Sequence, residues 1–431
     1  MFAVFDSEIM AYRVVLPRFR DPFIEGTATI NTWSAPDPTG RRKRRSAWIP
    51  RGLYAVLQGR RTLLRLLERI RVLSPNSGRA RAADWLQRRL MNDRHRRVML
   101  DSDGARRDFV TPDIALGPPV AFRRGDVLFC SGYGWNDGNI CEIGALRTGK
   151  GVRLAIVCYD IIPLQSPHFF KPRDVDDMRH YWDAAFANAE QVVVNSKAVA
   201  ADVRRYCAEH AIAPPKLAVR PLGADPAEMR SASGLMLPAG LEEGRYALFV
   251  STIEPRKGHQ LLHRVWKALL AEGDPRLQGF KLVFVGRPGW MMEAFERTLK
   301  EDSGPGGSLV VLAGVSDALL DLLYRRAAFC LYPSLYEGYG LPVVEAFARG
   351  KAVLASSAGA LPELAADFSP CLEAEDEAAW RIALKAWIVD PAARAPYEQA
   401  IAERFRHPAW AEAAAGVFAA VLEPGPEEPA P

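Results

Sequence analysis

The stretch A-F-C-L-Y-P-S-L-Y-E-G-Y-G-L-P-V-V-E-A-F-A-R-G-K-A-V-L-A-S-S-A-G-A-L-P-E-L, residues 328–364, decides the fold of this chain. It opens with an uninterrupted apolar run, Ala328 to Tyr332, which is typical of a parallel strand buried on both faces. A glycine-rich loop follows, and then Pro342 begins a helical pattern that Gly350 ends. A second apolar run, Ala352 to Ser356, predicts another strand. The order strand, glycine loop, helix, strand predicts a doubly wound nucleotide-binding sheet.

Two carboxylates flank the glycine loop. Glu337 lies in the loop, and Glu345 follows after seven intervening residues, in the first helical turns. Backbone N–H groups around Gly340 and Leu341 would face outward at the helix N-terminus, where the helix dipole favours a phosphate. Carboxylates are unsuited to a phosphate, but they suit the hydroxyls of a sugar and a ribose attached to it. As an isolated pair, the two glutamates would be ordinary solvated charges.

The motif Glu-x7-Glu, with G-Y-G-L-P between the glutamates, resembles the donor-site signature of the family 4 retaining glycosyltransferases. That family has an α/β fold in which two Rossmann-like domains face each other across a cleft (GT-B type). The resemblance implies that Glu337 is catalytic, holding the sugar and supporting its developing positive charge, and that Glu345 binds the ribose. The other donor-binding residues that it implies are Gly338, Tyr339, Gly340, Leu341, Pro342, Gly286 and Val315.

Two adjacent cations, Arg256 and Lys257, follow a predicted strand in the segment T-I-E-P-R-K-G. At the end of a strand they would meet the donor diphosphate and stabilise it as it leaves. Family members place a Lys or Arg pair at this turn, and this version resembles the bacterial mannosyltransferase-like subgroup. Relatives often have Gly-Arg where this chain has Ser251-Thr252, so one phosphate-binding cation of the family pattern is missing there. The alternative is an exposed surface pair.

The acceptor side is less defined. Tyr159 and Asp160 begin a segment, Y-D-I-I-P, that resembles the Tyr-Asp-Leu-Ile-Pro segment of the same subgroup, which implies that both face the acceptor. A turn or helix-capping role for Asp160 is the alternative. Tyr133 lies in a loop after a predicted strand, Asp126 to Ser131, and is a third acceptor-side candidate. The alternative for Tyr133 is packing within a turn.

The length of 431 residues predicts two domains. We expect an acceptor-side domain at 1–222, of which 1–120 is basic and poorly defined, and a nucleotide-sugar donor domain at 223–407. By resemblance to the family, a helix at 408–422 would cross back to the first domain. The acidic, proline-rich tail at 423–431 is predicted to be disordered.

The overall net charge of +5 hides a strongly basic segment. Between Arg41 and Arg97 there are eighteen Lys and Arg residues and three acids, a net charge of +15. Such a segment could bind nucleic acid or an anionic membrane surface, or it could be an ordinary solvated surface. No nucleic-acid-binding signature accompanies it, so we expect no nucleic-acid partner. The basic turn at 40–45 precedes a pattern at 54–72 that predicts two amphipathic helices.

Cysteine usage and hydropathy restrict the cellular location that we expect for the protein. The six cysteines show no C-x-x-C spacing and no zinc signature, which predicts reduced thiols in a cytosolic protein. No run of eighteen apolar residues and no signal-peptide pattern occurs. We therefore expect a cytoplasmic protein, at most peripheral at the inner face of the plasma membrane.

These observations and the family resemblance together predict a retaining, metal-independent hexosyltransferase that needs no cofactor. The resemblance favours GDP-mannose as the donor and a lipid-linked oligosaccharide of surface polysaccharide synthesis as the acceptor. Transfer of rhamnose, glucose or N-acetylglucosamine is an alternative. A second alternative is a non-catalytic nucleotide-sugar binding protein, against which the intact Glu337, Glu345, Arg256 and Lys257 argue.

Overall fold

The computed structural model describes residues 3–6, 11–16, 28–30, 63, 66, 67, 70, 77–90, 108–110, 116–131, 140–224, 235–301 and 304–423. The chain divides into two compact units. The first comprises Met1–Arg124 and Asp137–Gly151, and the second comprises Gly125–Asn136 and Val152–Pro431. Within the described residues, no helix has both the length and the apolar character needed to cross a membrane.

Short strands and two helices make up the described part of the first unit. Its strands are β1 (Ala3–Asp6), β2 (Ala11–Val15), β3 (Ala28–Ile30), β4 (Asp108–Val110) and β5 (Leu116–Pro119), and its helices are α1 (Gly78–Leu90) and α2 (Ile140–Lys150). Strand β2 pairs antiparallel with both β1 and β5, and β3 pairs parallel with β4. Four further described residues, at 63, 66, 67 and 70, are also helical, and the two amphipathic helices at 54–72 stay a prediction.

The second unit contains two parallel sheets. The smaller has the order β6-β7-β8-β9, with bounds β6 Val127–Cys130, β7 Arg153–Cys158, β8 Gln191–Val194 and β9 Lys216–Val219. Every residue of β8 is buried, as its Q-V-V-V sequence favours. Cys158 pairs with Val194, so the loops after β7 and β8 leave the sheet side by side.

The larger sheet has six strands in the order β12-β11-β10-β13-β14-β15. Their bounds are β10 Tyr246–Val250, β11 Lys281–Val285, β12 Leu309–Leu312, β13 Phe329–Tyr332, β14 Val353–Ser356 and β15 Cys371–Leu372. All neighbours pair in parallel. The strand order reverses between β10 and β13, and such a switch point opens a crevice beyond the carboxyl ends of the strands. Fully buried aromatic side chains, Trp266, Phe249, Phe284, Phe329 and Trp380, form the centre of the core.

Eleven further helices are described in the second unit. They are α3 Ile162–Gln165, α4 Pro172–Asn188, α5 Lys197–Glu209, α6 His259–Ala271, α7 Glu293–Glu301, α8 Asp317–Arg326, α9 Leu341–Phe347, α10 Leu361–Ala365, α11 Glu377–Val389, α12 Ala395–Arg404 and α13 Trp410–Leu422. Helix α13 packs on the smaller sheet, because Ala420 and Val421 share a buried cluster with Ala155, Val157 and Val193.

The predicted α/β class is confirmed by these parallel sheets. Around the central stretch, β13, α9 and β14 follow one another as expected, with Pro342 in the first turn of α9 and Gly350 at a positive φ of 69° after it. The domain boundaries at 222 and 407 stay predictions. Tyr133, the basic turn at 40–45 and nearly all of the predicted tail lie outside the described residues.

Candidate active site

A cavity of about 800 Å³ lies at the carboxyl ends of the strands of both sheets in the second unit. The loops after β7, β8, β10, β11 and β13 contribute to its wall, as expected for a ligand site in an open α/β sheet. The lining residues are Tyr159, Asp160, Asn195, Leu222, Ser251, Thr252, Glu254, Arg256, Lys257, Arg287, Pro288, Gly289, Trp290, Tyr332, Glu337, Gly338, Tyr339, Gly340, Leu341 and Pro342.

The loop after β10 positions the two cations. Its 3₁₀ turn, Pro255–Lys257, ends at Gly258, which has a positive φ of 82°. A Cβ atom at Gly258 would also lie 2.4 Å from the carbonyl oxygen of Pro333, so only glycine fits this close approach. The turn thereby carries Arg256 and Lys257 beside the loop that follows β13.

Glu337 holds both cations. Its Oε1 atom lies 2.6 Å from Lys257 Nζ, and its Oε2 atom lies 3.0 Å from an Arg256 guanidinium nitrogen. Burial by itself would raise the pKa of Glu337, but Lys257 and Arg256 outweigh it and lower that pKa to about 2. The carboxylate is therefore ionised at neutral pH. It fixes the positions of two positive groups that are each less than 15% exposed.

A second carboxylate, Glu254, also contacts the cluster. Its Oε1 atom lies 3.0 Å from Arg256, and its side chain is 3% exposed. Burial raises the pKa of Glu254, and the opposing effect of Arg256 does not cancel that rise. Arg256 thus forms ion pairs with two carboxylates, whereas Lys257 forms an ion pair with one, Glu337, among the described residues.

The loop after β7 packs closely against Gly338. The Asp160 carboxylate accepts a hydrogen bond from the backbone N–H of Ile162 at 3.1 Å, which is the turn role considered above. A Cβ atom on Gly338 would lie 2.7 Å from Asp160 Cβ and equally close to the Tyr159 carbonyl oxygen, so this approach requires glycine. Burial raises the pKa of Asp160, and the positive charge of Arg256 opposes that rise.

The glycine loop after β13 continues the wall. Gly340 has a φ of 116° and precedes α9, where Leu341 and Pro342 line the cavity. Tyr339 is buried, and its hydroxyl lies 3.2 Å from His407 Nε2. The structure therefore brings together most of the residues named from the sequence, and the described acceptor-side candidates Tyr159 and Asp160 share the cavity with them.

Three of the named residues do not line the cavity. Glu345 is half-buried and accepts a hydrogen bond from the Tyr324 hydroxyl at 2.9 Å. Gly286 packs against the Ser251 carbonyl, where a Cβ atom would lie only 1.8 Å away, and the residues after it form the wall. Val315 is packed against the core. Their predicted donor-binding roles stay predictions.

Sequence reasoning missed Glu254, Asn195 and Trp290. Glu254 lies within the motif that carries the cations, but its burial against Arg256 depends on tertiary packing. Asn195 follows β8 directly, as Tyr159 follows β7. This position at the carboxyl end of a parallel strand is a local feature that could have identified Asn195 as a candidate site residue. Trp290 donates its indole N–H to the Phe169 carbonyl at 2.8 Å, a contact between distant segments that no local pattern indicates.

Known proteins match the part of the chain that carries this cavity. Residues 239–404 match the model of the family described as glycosyl transferases group 1. The serotype-specific mannosyltransferase WbdA of Escherichia coli is 26% identical over 282 residues, which cover 63% of this chain and 34% of that protein. The O-antigen chain mannosyltransferase B of Escherichia coli is 36% identical over 126 residues, covering 28% of this chain and 31% of that protein. The chain thus spans about a third of the length of these relatives.

Solved structures extend the likeness to the fold. An α,α-trehalose 6-phosphate synthase of Burkholderia multivorans has a TM-score of 0.56 at 17% identity, covering 70% of this chain and 72% of that one. The sucrose-phosphate synthase of Thermosynechococcus elongatus has a TM-score of 0.50 at 21% identity, covering 68% and 71%. Residues 239–404 are therefore similar to the group 1 glycosyl transferases, in agreement with the resemblance seen in the sequence motifs, and the chain has a fold of the GT-B type.

Proposed function

We infer that this protein is a retaining glycosyltransferase that moves a sugar from a nucleotide-sugar donor to a saccharide acceptor. GDP-mannose is the favoured donor, and a lipid-linked oligosaccharide of surface polysaccharide synthesis is the favoured acceptor. The mannosyltransferases among the relatives support the sugar, and the E. coli O-antigen enzyme supports the type of product.

One observation carries this proposal. Arg256 and Lys257 are held side by side by a single ionised carboxylate, Glu337, inside a cavity at the switch point of the sheet. Two fixed and largely buried cations suit a diphosphate and would stabilise the charge that develops as it leaves. Because their positions are set before the ligand arrives, little reorganisation is needed during the reaction.

The geometry supports the following course. The bond between the anomeric carbon and the donor phosphate oxygen breaks, and the electron pair leaves with the diphosphate held by Arg256 and Lys257. Glu337 accepts hydrogen bonds from sugar hydroxyls and supports the positive charge on the sugar ring. The acceptor hydroxyl attacks on the face that the diphosphate leaves and gives its proton to a donor phosphate oxygen. Attack on that face retains the anomeric configuration.

A panel of donors tests this function. The full-length protein is incubated with GDP-mannose, UDP-glucose, UDP-N-acetylglucosamine and dTDP-rhamnose, and release of the nucleoside diphosphate is measured with and without a saccharide acceptor. We expect release with GDP-mannose that increases when the acceptor is present. Faster release from another donor would support a different sugar. Binding of a donor with no release under any condition would support the alternative of a non-catalytic binding protein.

We expect the activity to survive chelation of metal ions. Arg256, Lys257 and the backbone N–H groups at the start of α9 would neutralise the diphosphate, so no divalent cation is needed. Activity in EDTA is expected to remain within about twofold of the untreated enzyme. Complete loss of transfer in EDTA, restored by Mg²⁺ or Mn²⁺, would contradict metal independence and point to another class of transferase.

The basic segment is proposed to bind the anionic surface of a membrane, where a lipid-linked acceptor would be found. In α1, Ala80 and Ala83 are buried, whereas Trp85 is 57% exposed, with the guanidinium of Arg89 4.5 Å from the centre of its ring. A tryptophan beside arginines suits the interface between lipid headgroups and acyl chains. Each Lys or Arg near such a surface contributes on the order of 1 kcal/mol of attraction, which salt screens.

Sedimentation with liposomes checks this proposal. We expect the protein to sediment with anionic vesicles, to dissociate as salt is raised, and to bind more weakly when Arg41, Arg42, Lys43, Arg44 and Arg45 are all changed to glutamine. A control for loss of a single charge outside the segment is the variant Lys267→Gln, which removes one exposed charge on α6 of the second unit. Equal binding to neutral vesicles, or no binding to either kind, would leave the segment as an ordinary solvated surface.

A further inference from the structure

Asn195 occupies a defined place in the wall of the cavity. It follows β8 directly, and the pairing of β8 with β7 places it next to the loop that carries Tyr159 and Asp160. The next residue, Ser196, donates its hydroxyl to the carbonyl of Gly338 at 2.8 Å and accepts the N–H of Val199 at 3.1 Å. The bond from Ser196 to Gly338 therefore fixes the backbone at Asn195 next to the loop that carries Glu337.

The side chain of Asn195 has an unused hydrogen-bonding atom. The residue is only 5% exposed and lines the cavity, and its Oδ1 atom has no hydrogen-bond partner among the described residues. A buried acceptor without a partner destabilises the folded chain, so native structures rarely contain one without a reason. A hydroxyl of a bound ligand would supply the missing donor.

The chemistry of the wall restricts the kind of ligand. The amide oxygen carries partial negative charge, and the adjacent strand β7 leads into the loop of Asp160, whose carboxyl group also lines the cavity, so this part of the cavity disfavours a phosphate. The cations that suit a diphosphate, Arg256 and Lys257, come from the loop after β10 of the larger sheet. A group that bonds the amide oxygen of Asn195 must donate a hydrogen bond, and a neutral hydroxyl of a ligand does so without bringing a negative charge next to Asp160.

We propose that Asn195 is a specificity-determining residue that accepts a hydrogen bond from one ring hydroxyl of the acceptor saccharide. This proposal rests on the proposed glycosyltransferase function and adds a residue that selects among acceptor saccharides. A site built to bond a particular hydroxyl discriminates strongly against the analogue that lacks it, because the buried polar atom is then left unpaired.

The experiment compares Asn195→Leu with the wild-type protein on deoxygenated probes. Transfer from GDP-mannose to methyl α-D-mannopyranoside and to its four monodeoxy derivatives is measured as kcat/KM. We expect the wild-type enzyme to disfavour one derivative by about tenfold to a hundredfold and Asn195→Leu to lose that preference. The preferences for the other three derivatives are expected to be unchanged. The same five probes are compared by saturation-transfer NMR in the presence of GDP, which reports binding without turnover.

Gln191→Leu is the matched control. Gln191 begins the same strand, is 4% exposed and also has an unpartnered amide atom among the described residues, but it does not line the cavity. Both leucine variants are expected to keep or raise the melting temperature, because an apolar group replaces a buried polar one of similar size. Only Asn195→Leu is expected to change the preference among the probes.

Several results would overturn the proposal. The first is an unchanged pattern of preferences in Asn195→Leu. The second is a wild-type protein that binds GDP but shows no preference among the probes by NMR. A fall in melting temperature in Asn195→Leu alone, with the preferences intact, would assign Asn195 to the fold. Failure of transfer with NMR preferences intact would count against the proposed reaction while leaving the contact with the saccharide supported.

Discussion

Replacing Lys257 by alanine is expected to lower kcat/KM for sugar transfer by about a hundredfold to a thousandfold. The Lys257 side chain is 11% exposed, and its bond to Glu337, at 2.6 Å, fixes it in the cavity wall where we propose that the diphosphate leaves. Loss of one charged contact of this kind in a dry site typically removes ~3–4 kcal/mol of transition-state stabilisation. The measurement is the initial rate of nucleoside diphosphate release as the donor concentration is varied.

Lys267→Ala is the control for this prediction. Lys267 lies on the exposed side of α6, two turns after the cavity loop, and its removal changes the net charge by the same amount. We expect it to leave transfer within about twofold of the wild-type rate. Near-normal turnover of Lys257→Ala, in a protein that remains folded by circular dichroism, would remove Lys257 from the catalytic residues.

Glu337→Gln is expected to impair both catalysis and stability. The substitution leaves Lys257 without its carboxylate partner and removes one of the two carboxylate partners of Arg256. Breaking a buried ion pair by neutralising one member typically costs about 3–5 kcal/mol, because the remaining charge is left uncompensated. We expect transfer to fall by at least about a hundredfold and the melting temperature to fall by several degrees. Glu403→Gln, at an exposed position of α12, is expected to change neither quantity.

The pH dependence of stability distinguishes the loss of the ion pairs of Glu337 from a simple loss of packing. The pKa of Glu337 falls from an ordinary value of 4.5 to about 2 on folding. Its contribution to stability is therefore complete above about pH 5 and is lost as the pH falls toward 2. Glu337→Gln lacks this contribution, so its free energy of unfolding is expected to fall less steeply over that interval. Parallel acid profiles for the two proteins would contradict the ionised state of Glu337.

The cavity wall on the side of the larger sheet was largely predictable from the sequence, although its role in binding a donor stays a prediction. The buried strand β13, the glycines and Pro342 each have a local physical signature, and their order specifies where a loop meets a helix. The cations Arg256 and Lys257 were placed by the same logic, at the end of a buried strand. Because parallel strands end at one edge of a sheet, these separate loops had to converge on a single cavity.

The contacts that complete the site were not readable. Whether Glu337 would point at a ligand or at Arg256 and Lys257 depends on side-chain packing across two loops, which no spacing encodes. Glu345 follows the motif in sequence, but the Tyr324 hydroxyl engages it, and it lies outside the cavity wall. A lone polar residue after a buried strand, such as Asn195, is also typical of a helix-capping loop, so the sequence alone does not distinguish a site residue from a cap.

The most direct test of the account is the anomeric configuration of the product, followed by ¹H NMR as the enzyme converts GDP-α-mannose and a saccharide acceptor. Retention with release of GDP is what the proposed attack of the acceptor on the face that the diphosphate leaves predicts. An α-linked product, formed by the wild-type enzyme and formed much more slowly by Lys257→Ala, would support the account. A β-linked product, or an α-linked product formed at the same rate by both proteins, would contradict it.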